Sequence, residues 1–329
     1  MLFLYLYMKL KFSLIVPVYN RPQEIEELLY SLTKQDYKDD FEVLIIEDGS
    51  ENTCERVIRR YESELTIHYI FKENTGAGLS RNIGMENASG NYFIILDSDV
   101  LLPKHYLSDV SKALKLNFTD AFGGADKAHI SFNSWQKAIS FSMTSLFTTG
   151  GIRGKKKGVG KFQPRSFNMG LSQTAFIATN GFSELRYGED IDLTFRLWNL
   201  GFKTQFVEEA YVYHKRRTSI KSFFKQTFNF GTARPYLNRK YPDSSKLTFW
   251  FPSLFIISFD IAILLALFLH WIFIIPFAFY FLVIFLDALL QSQSLKVAFY
   301  SIITTYTQFL GYGLGFLKSI FKKKGLATH

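Results

Sequence analysis

Between Phe251 and Leu290 lie forty residues in which only Asp260, His270 and Asp287 can ionise near neutral pH. A helix that crosses a membrane needs about 20 apolar residues. The run therefore divides into two spans, about 249–269 and 271–290, with a tight turn at His270 and Trp271. The alternative is a buried core hairpin of a soluble protein, but soluble helices rarely stay apolar on every face for this long. Asp260 and Asp287 are costly in a bilayer unless they meet protein or an interface. Asp287 falls near a helix end, which suits an interfacial carboxylate. Asp260 falls mid-span, where a partner helix would have to shelter it.

A third stretch, about 297–320, is less apolar and carries Thr304, Thr305, Thr307, Gln308 and the glycines 311, 313 and 315. Lys318 and Lys322-Lys323-Lys324 follow. Lysines beside membrane segments prefer the cytoplasmic side. Two crossings return the chain to its starting side, and a third would carry the lysines across. A membrane-surface helix or a re-entrant hairpin is therefore expected here, with a third span as the alternative. Six lysines against two aspartates leave +4 of the net +9 on Lys246–His329. The division expected is a catalytic domain over 9–245 and a membrane region over 246–329. Met1–Met8 has no basic start and no small-residue cleavage site, so it does not read as a signal peptide, and Met8 is an alternative start. The first domain is then expected in the cytoplasm, facing the cytoplasmic membrane.

From Lys9 to about Arg217, strands and helices alternate. Phe12–Pro17 and Phe41–Glu47 are short runs rich in Val and Ile, as in buried parallel strands. Pro22 opens a helix with Ile25, Leu28, Leu29 and Leu32 on its apolar face. Thr66–Phe71 and Tyr92–Leu96 read as further strands, with a helix within Gly76–Ala88 between them. This alternation predicts an α/β fold with a mostly parallel sheet covered on both faces.

Ligands of such sheets bind beyond the C-terminal ends of the strands. Those ends here read Pro17-Val18-Tyr19-Asn20-Arg21, Glu47-Asp48-Gly49-Ser50 and Asp97-Ser98-Asp99. Alternate residues of an extended segment point the same way, so Asp97 and Asp99 can reach one cation and a diphosphate held by it. Oxygen ligands and phosphate partners suit Mg2+ or Mn2+. No glycine fingerprint follows the first strand and no Walker loop occurs, which excludes dinucleotide dehydrogenases and P-loop NTPases. The lone Cys54 excludes an internal disulfide framework. Gly188-Glu189-Asp190 opens a helix that Gly201 closes. Carboxylates in a first helical turn are favoured by the helix dipole, so Asp190 also fits a plain capping role.

These segments, together with Gly78-Leu79-Ser80-Arg81-Asn82-Ile83-Gly84, stand in an order that resembles glycosyltransferase family 2, over roughly Lys11 to Leu200. The resemblance implies a GT-A, Rossmann-like domain that transfers a sugar from a nucleotide-diphosphate donor with inversion. It implies that Pro17, Tyr19 and Asp48 hold the base and ribose, with Asn20 and Glu47 beside them. Glu47 stands where an aspartate is usual. Arg81 would lie near the donor phosphates or sugar. Asp97 and Asp99 would bind donor and metal, Asp99 directly, and Asp190 would be the general base with Glu189 on the acceptor side. His214 would be a second metal ligand or simply a strand-end histidine. Lys215, Arg216 and Arg217 suit a diphosphate or anionic lipid headgroups. Gln226 and Arg234 resemble gate residues of membrane-bound relatives, but no strict Gln-x-x-Arg-Trp is present. The basic, glycine-rich stretch from Gly150 to Arg165 fits either a solvated loop or a flap over the acceptor.

The function expected is inverting, metal-dependent transfer to a saccharide or lipid-linked acceptor in cell-surface polysaccharide synthesis. Direct transfer to polyprenyl phosphate and a non-catalytic membrane scaffold are the alternatives. The basic pI near 9.3 raises nucleic acid as a partner. Much of that charge sits beside apolar segments, so no nucleic-acid partner is expected.

Overall fold

A computed structural model of the chain describes residues 9–129, 131–150 and 162–322. The start at Met1–Met8, most of the glycine-rich basic stretch, and Lys323 and Lys324 lie outside them. The strands are β1 (Phe12–Val18), β2 (Phe41–Asp48), β3 (Thr66–Lys72), β4 (Tyr92–Leu96), β5 (Val100–Leu101), β6 (Ala121–Lys127), β7 (Asn168–Ser172) and β8 (Thr204–His214). The helices are α1 (Pro22–Thr33), α2 (Glu55–Ile58), α3 (Ala77–Asn87), α4 (Tyr106–Leu116), α5 (Ser134–Thr144), α6 (Leu146–Thr149), α7 (Gln173–Thr179), α8 (Glu189–Asn199), α9 (Ile220–Lys240), α10 (Phe251–Phe268), α11 (Ile275–Ser292) and α12 (Leu295–Phe321).

The chain forms two compact units. Of the described residues, 9–127 and 162–214 build one, and 128–150 with 215–322 build the other. The border differs from residue 245, because α5, α6 and α9 pack with the C-terminal helices.

The first unit is one eight-stranded sheet in the order β3-β2-β1-β4-β7-β6-β8-β5. β1 pairs in parallel with β2 and β4, and β2 with β3, as the apolar runs predict. All seven side chains of β1 are buried, because helices cover both faces. On one face, Leu14, Val16, Val43 and Ile45 pack with Ile25, Leu28 and Leu29 of α1. On the other, Ile15, Leu44 and Ile46 pack with Met85, Leu193 and Leu197.

The remaining strands depart from the parallel pattern. β7 is antiparallel to both β4 and β6. β5 is antiparallel to β8, while β6 and β8 are parallel. β6 and β7 contain glycines where a buried strand would show Val or Ile. A Cβ on Gly124 would lie 1.8 Å from the Ala210 carbonyl oxygen, and one on Gly170 would lie 2.0 Å from the Phe122 ring. Close backbone approach thus replaces apolar side chains there.

In the second unit, Leu247–Phe268 and Trp271–Ser292 are long and apolar enough to cross a membrane. Few of their side chains are buried among the described residues, unlike those of a core hairpin. Of the arrangements expected for the third stretch, the structure shows one unbroken helix of 27 residues, α12, and not a hairpin. Its glycines do not break it, because they serve as contact points. A Cβ on Gly315 would lie 2.1 Å from the Phe228 carbonyl oxygen of α9, and one on Gly231 would lie 2.2 Å from that of Tyr312. Small residues let two helix backbones touch. Gly231→Ala should therefore force α9 and α12 apart and cost about 1–3 kcal/mol. Gly313→Ala, whose nearest atom is 3.1 Å away, should cost less. Thermal unfolding in detergent measures both, and equal midpoints would contradict the close-packing account.

Candidate active site

β1, β2 and β4 are parallel, so their C-terminal ends share one edge of the sheet. β4 ends at Leu96, and Asp97-Ser98-Asp99 turns across that edge into β5. β8 ends at His214, which pairs with Val100. This register brings His214 Nε2 to 3.1 Å from Asp99 Oδ1 and 4.0 Å from Asp97 Oδ2. One ligand atom from each of the three residues lies within 4.8 Å of the others. The His214 ring stacks on Phe167 at 4.9 Å, which fixes its plane. Asp126 of β6 lies 4.0 Å from its other nitrogen. Two carboxylates and one imidazole could hold a divalent cation.

Arg21, directly after β1, lies 2.5 Å from Asp99 Oδ2. Burial pushes the Asp99 carboxyl up, but His214 and Arg21 outweigh it and hold the group well below the usual carboxylate range. Asp99 is thus ionised and ready for a cation. Asp99→Asn removes that charge, so it should abolish any gain in nucleotide affinity produced by Mn2+. Calorimetric titration with and without the metal checks this, and an unchanged Mn2+ response would refute the ligand role.

Arg81 ties the strand edge to α8. It enters from α3 and is 3% exposed. Its guanidinium donates to Asp97 Oδ1 at 2.7 Å and to Glu189 Oε1 at 3.0 Å. It also faces the Phe182 ring. Glu189 and Asp190 begin α8 behind Gly188, whose φ of +82° lies in the left-handed region. Asp190 Oδ1 accepts from the Ile191 amide at 2.8 Å, which orients the carboxylate. Its other oxygen lies 3.7 Å from Arg165. Burial and the adjacent Asp190 push Glu189 up to about 7, against the pull of Arg81.

The strand ends of β1 and β2 carry both exposed and buried residues. Tyr19 is half exposed and Asn20 is exposed, so both are accessible. Pro17 is buried within β1. Glu47 is wholly buried, and its carboxylate accepts from Cys54 N at 2.8 Å, Cys54 Sγ at 3.0 Å and Tyr69 at 3.3 Å, and from Ser50. Ser50 Oγ in turn accepts from the Asn20 amide at 2.7 Å. Glu47 therefore braces the loop that carries Asn20. Asp48 is also buried and accepts from Lys72 and from the amides of Thr75 and Gly76, so it shapes the turn before α3. Arg217, Gln226 and Arg234 fall in the helical unit. Arg234 is buried there over the Phe249 ring and donates to the Ser244 carbonyl.

The geometry adds Arg21, Asp126 and Arg165 to the residues named from sequence. Arg21 was legible in part, because it follows Asn20 in the first strand-end motif. Nothing local marks Asp126 or Arg165, whose partners lie 88 and 25 positions away.

Residues 13–176 match the family model described as Glycosyl transferase family 2. The chain carries a family 2 glycosyltransferase domain. Asp190 and His214 lie beyond the matched residues. A poly(ribitol-phosphate) beta-N-acetylglucosaminyltransferase, TarS of Staphylococcus aureus strain Mu50, is 34% identical over 114 residues, which cover 34% of this chain and 20% of TarS. Chondroitin synthase of Escherichia coli is 27% identical over 236 residues, covering 62% of this chain and 34% of the synthase. The matched stretches thus span about a fifth to a third of these relatives. Among solved structures, the mannosyltransferase PcManGT from Pyrobaculum calidifontis, in complex with GDP-Man and Mn2+, superposes with a TM-score of 0.60. It is 15% identical and the match covers 97% of this chain and 89% of that one. The family 2 chain therefore has the GT-A fold, a mixed α/β sheet followed by C-terminal helices.

Proposed function

We propose that this family 2 glycosyltransferase moves a sugar, with inversion, from a nucleotide-diphosphate donor to a saccharide or lipid-linked acceptor at a membrane. The observation that carries the reading is the Asp97–Asp99–His214 cluster joined through Arg81 to the start of α8. A divalent ion held there would offset the charge that builds on a departing nucleotide diphosphate. Asp99 is kept ionised to receive it. Tyr19 offers an accessible ring for a base to stack on. Asp190 takes the proton of the acceptor hydroxyl as it attacks, since a neutral hydroxyl is a poor nucleophile. Its carboxylate is already oriented by the Ile191 amide. The names of two relatives, a poly(ribitol-phosphate) beta-N-acetylglucosaminyltransferase and a chondroitin synthase, support a polymeric acceptor in cell-surface synthesis.

The two apolar helices support membrane attachment, with the catalytic domain on the cytoplasmic side. Attachment of the chain to a membrane would favour a lipid-linked acceptor. The anomeric configuration of the first product, followed by NMR from an α-linked donor, tests the mechanism. A β-linked product is expected, and an α-linked one would overturn single displacement.

A further inference from the structure

The helix α6 is built with its polar groups inward and its apolar groups outward. Thr148 is buried, and its hydroxyl donates to the Ser145 carbonyl at 3.1 Å. The Thr149 hydroxyl is likewise turned onto the carbonyls of Met143 and Ser145. Leu146 and Phe147 face out and are 62% and 48% exposed. Water on that face would favour the opposite arrangement.

This short helix is fastened to α11, one of the two helices fit to cross a membrane. Ser145 Oγ donates to Asp287 Oδ2 at 2.8 Å, and the Tyr280 hydroxyl donates to the Phe147 carbonyl at 2.9 Å. Just before it, Phe141 of α5 packs with Ile284 and Ala288 of α11. Asp287 is the one acidic residue of α11, and α6 supplies it with a donor. Its second oxygen accepts from Gln291 at 2.8 Å.

Backbone groups at both ends of α6 are bonded, as a lipid environment favours. Ser145 caps the Phe147 amide, and the Gly150 amide, at a left-handed φ of +66°, closes onto the Leu146 carbonyl. On α11 the contact runs from Asp287, near the helix end at Ser292, to Tyr280, nearer the middle of the apolar span. Tyr280 packs on Phe255, 5.1 Å between ring centres, four residues into α10. At 1.5 Å per residue this is about 6 Å from the start of that helix. Trp250, partly exposed, marks the same end, and tryptophan favours the membrane interface.

We propose that Leu146 and Phe147 enter the lipid interface beside α11. The segment between β6 and β7 would then be a third membrane contact, placed in sequence between the metal-site aspartates and Asp190. The inference rests on the membrane reading of α10 and α11.

The test is depth-dependent quenching in the full chain, reconstituted in phosphatidylethanolamine–phosphatidylglycerol vesicles. A cysteine at Phe147 carries an environment-sensitive fluorophore, and brominated lipids are the quencher. Cys54 is buried, and the unsubstituted chain serves as its labelling blank. Leu264, exposed on α10, is the lipid reference, and Leu116, exposed on α4, is the aqueous one. Loss of emission at 147 of the same order as at 264, with none at 116, is the expected result. Quenching at 264 but not at 147 would overturn the inference and leave the membrane reading standing. No quenching at 264 would overturn both. Leu146→Cys repeats the measurement if Phe147→Cys does not fold.

Discussion

Asp190→Asn should lower turnover by about a hundred- to ten-thousand-fold, the range expected for losing a positioned general base. Nucleotide binding should change little. The substitution keeps the shape of the residue and its first-turn position on α8. It leaves the Asp97–Asp99–His214 cluster untouched, as well as the Arg81 bridge from Asp97 to Glu189. A capping carboxylate would behave differently: the amide oxygen of asparagine still accepts from the Ile191 amide, so loss of charge alone would have a small effect. Product formation and nucleotide affinity, measured side by side, separate the two roles. Near-normal turnover would reduce Asp190 to a helix cap.

The second large effect is expected at Arg81. Its guanidinium is 3% exposed and is shared by Asp97 and Glu189. Burial alone would lower its proton affinity, but Asp97 and Glu189 more than reverse this, so the charge is firmly held. Arg81→Met keeps the bulk and removes the charge. Two carboxylates are then left without their cation, beside Asp190. Breaking a buried ion pair from one side costs about 3–5 kcal/mol. Asp97 is partly solvated, which places the expected loss at about 3 kcal/mol. Arg81→Lys should recover only part, because one ammonium cannot span both acceptors in the fork geometry of arginine. Adding Glu189→Gln to Arg81→Met should restore part of the stability, since the neutral amide no longer needs the cation while Asp97 still lacks it. Denaturant unfolding of the single and double variants reads these differences. A loss under about 0.5 kcal/mol in Arg81→Met, the size of an ordinary surface change, would show that the bridge carries no weight.

Much of this architecture is legible in the residues. β1, β2 and β4 are continuous apolar runs, and burial on both faces is the physical reason for such runs. Asp97 and Asp99 stand out because two carboxylates end one of them. β6 and β7 were hidden, since Gly123, Gly124 and Gly170 make room for neighbours instead of filling the core themselves. The glycines of α12 do the same between helices, where Gly315 lets the backbone of α9 approach closely. Glu47 and Asp48 look like ligand groups, yet each collects its donors from its own chain. No local pattern reveals which way a strand-end carboxylate turns. Arg165 reaches Asp190 from a stretch whose composition suggests only a basic loop. The grouping of α5 and α6 with the C-terminal helices is likewise a long-range fact. It depends on Phe141 meeting Ile284 and Ser145 meeting Asp287.

The most direct test of the central claim is nucleotide release by the detergent-purified chain, offered UDP-, GDP- and dTDP-sugars with Mn2+ or Mg2+ and a lipid extract. Release from one donor that needs the metal and disappears in both Asp99→Asn and Asp190→Asn is the predicted result. Release that persists in either variant, or that proceeds equally well in chelator, would contradict the assignment of the metal site and the base.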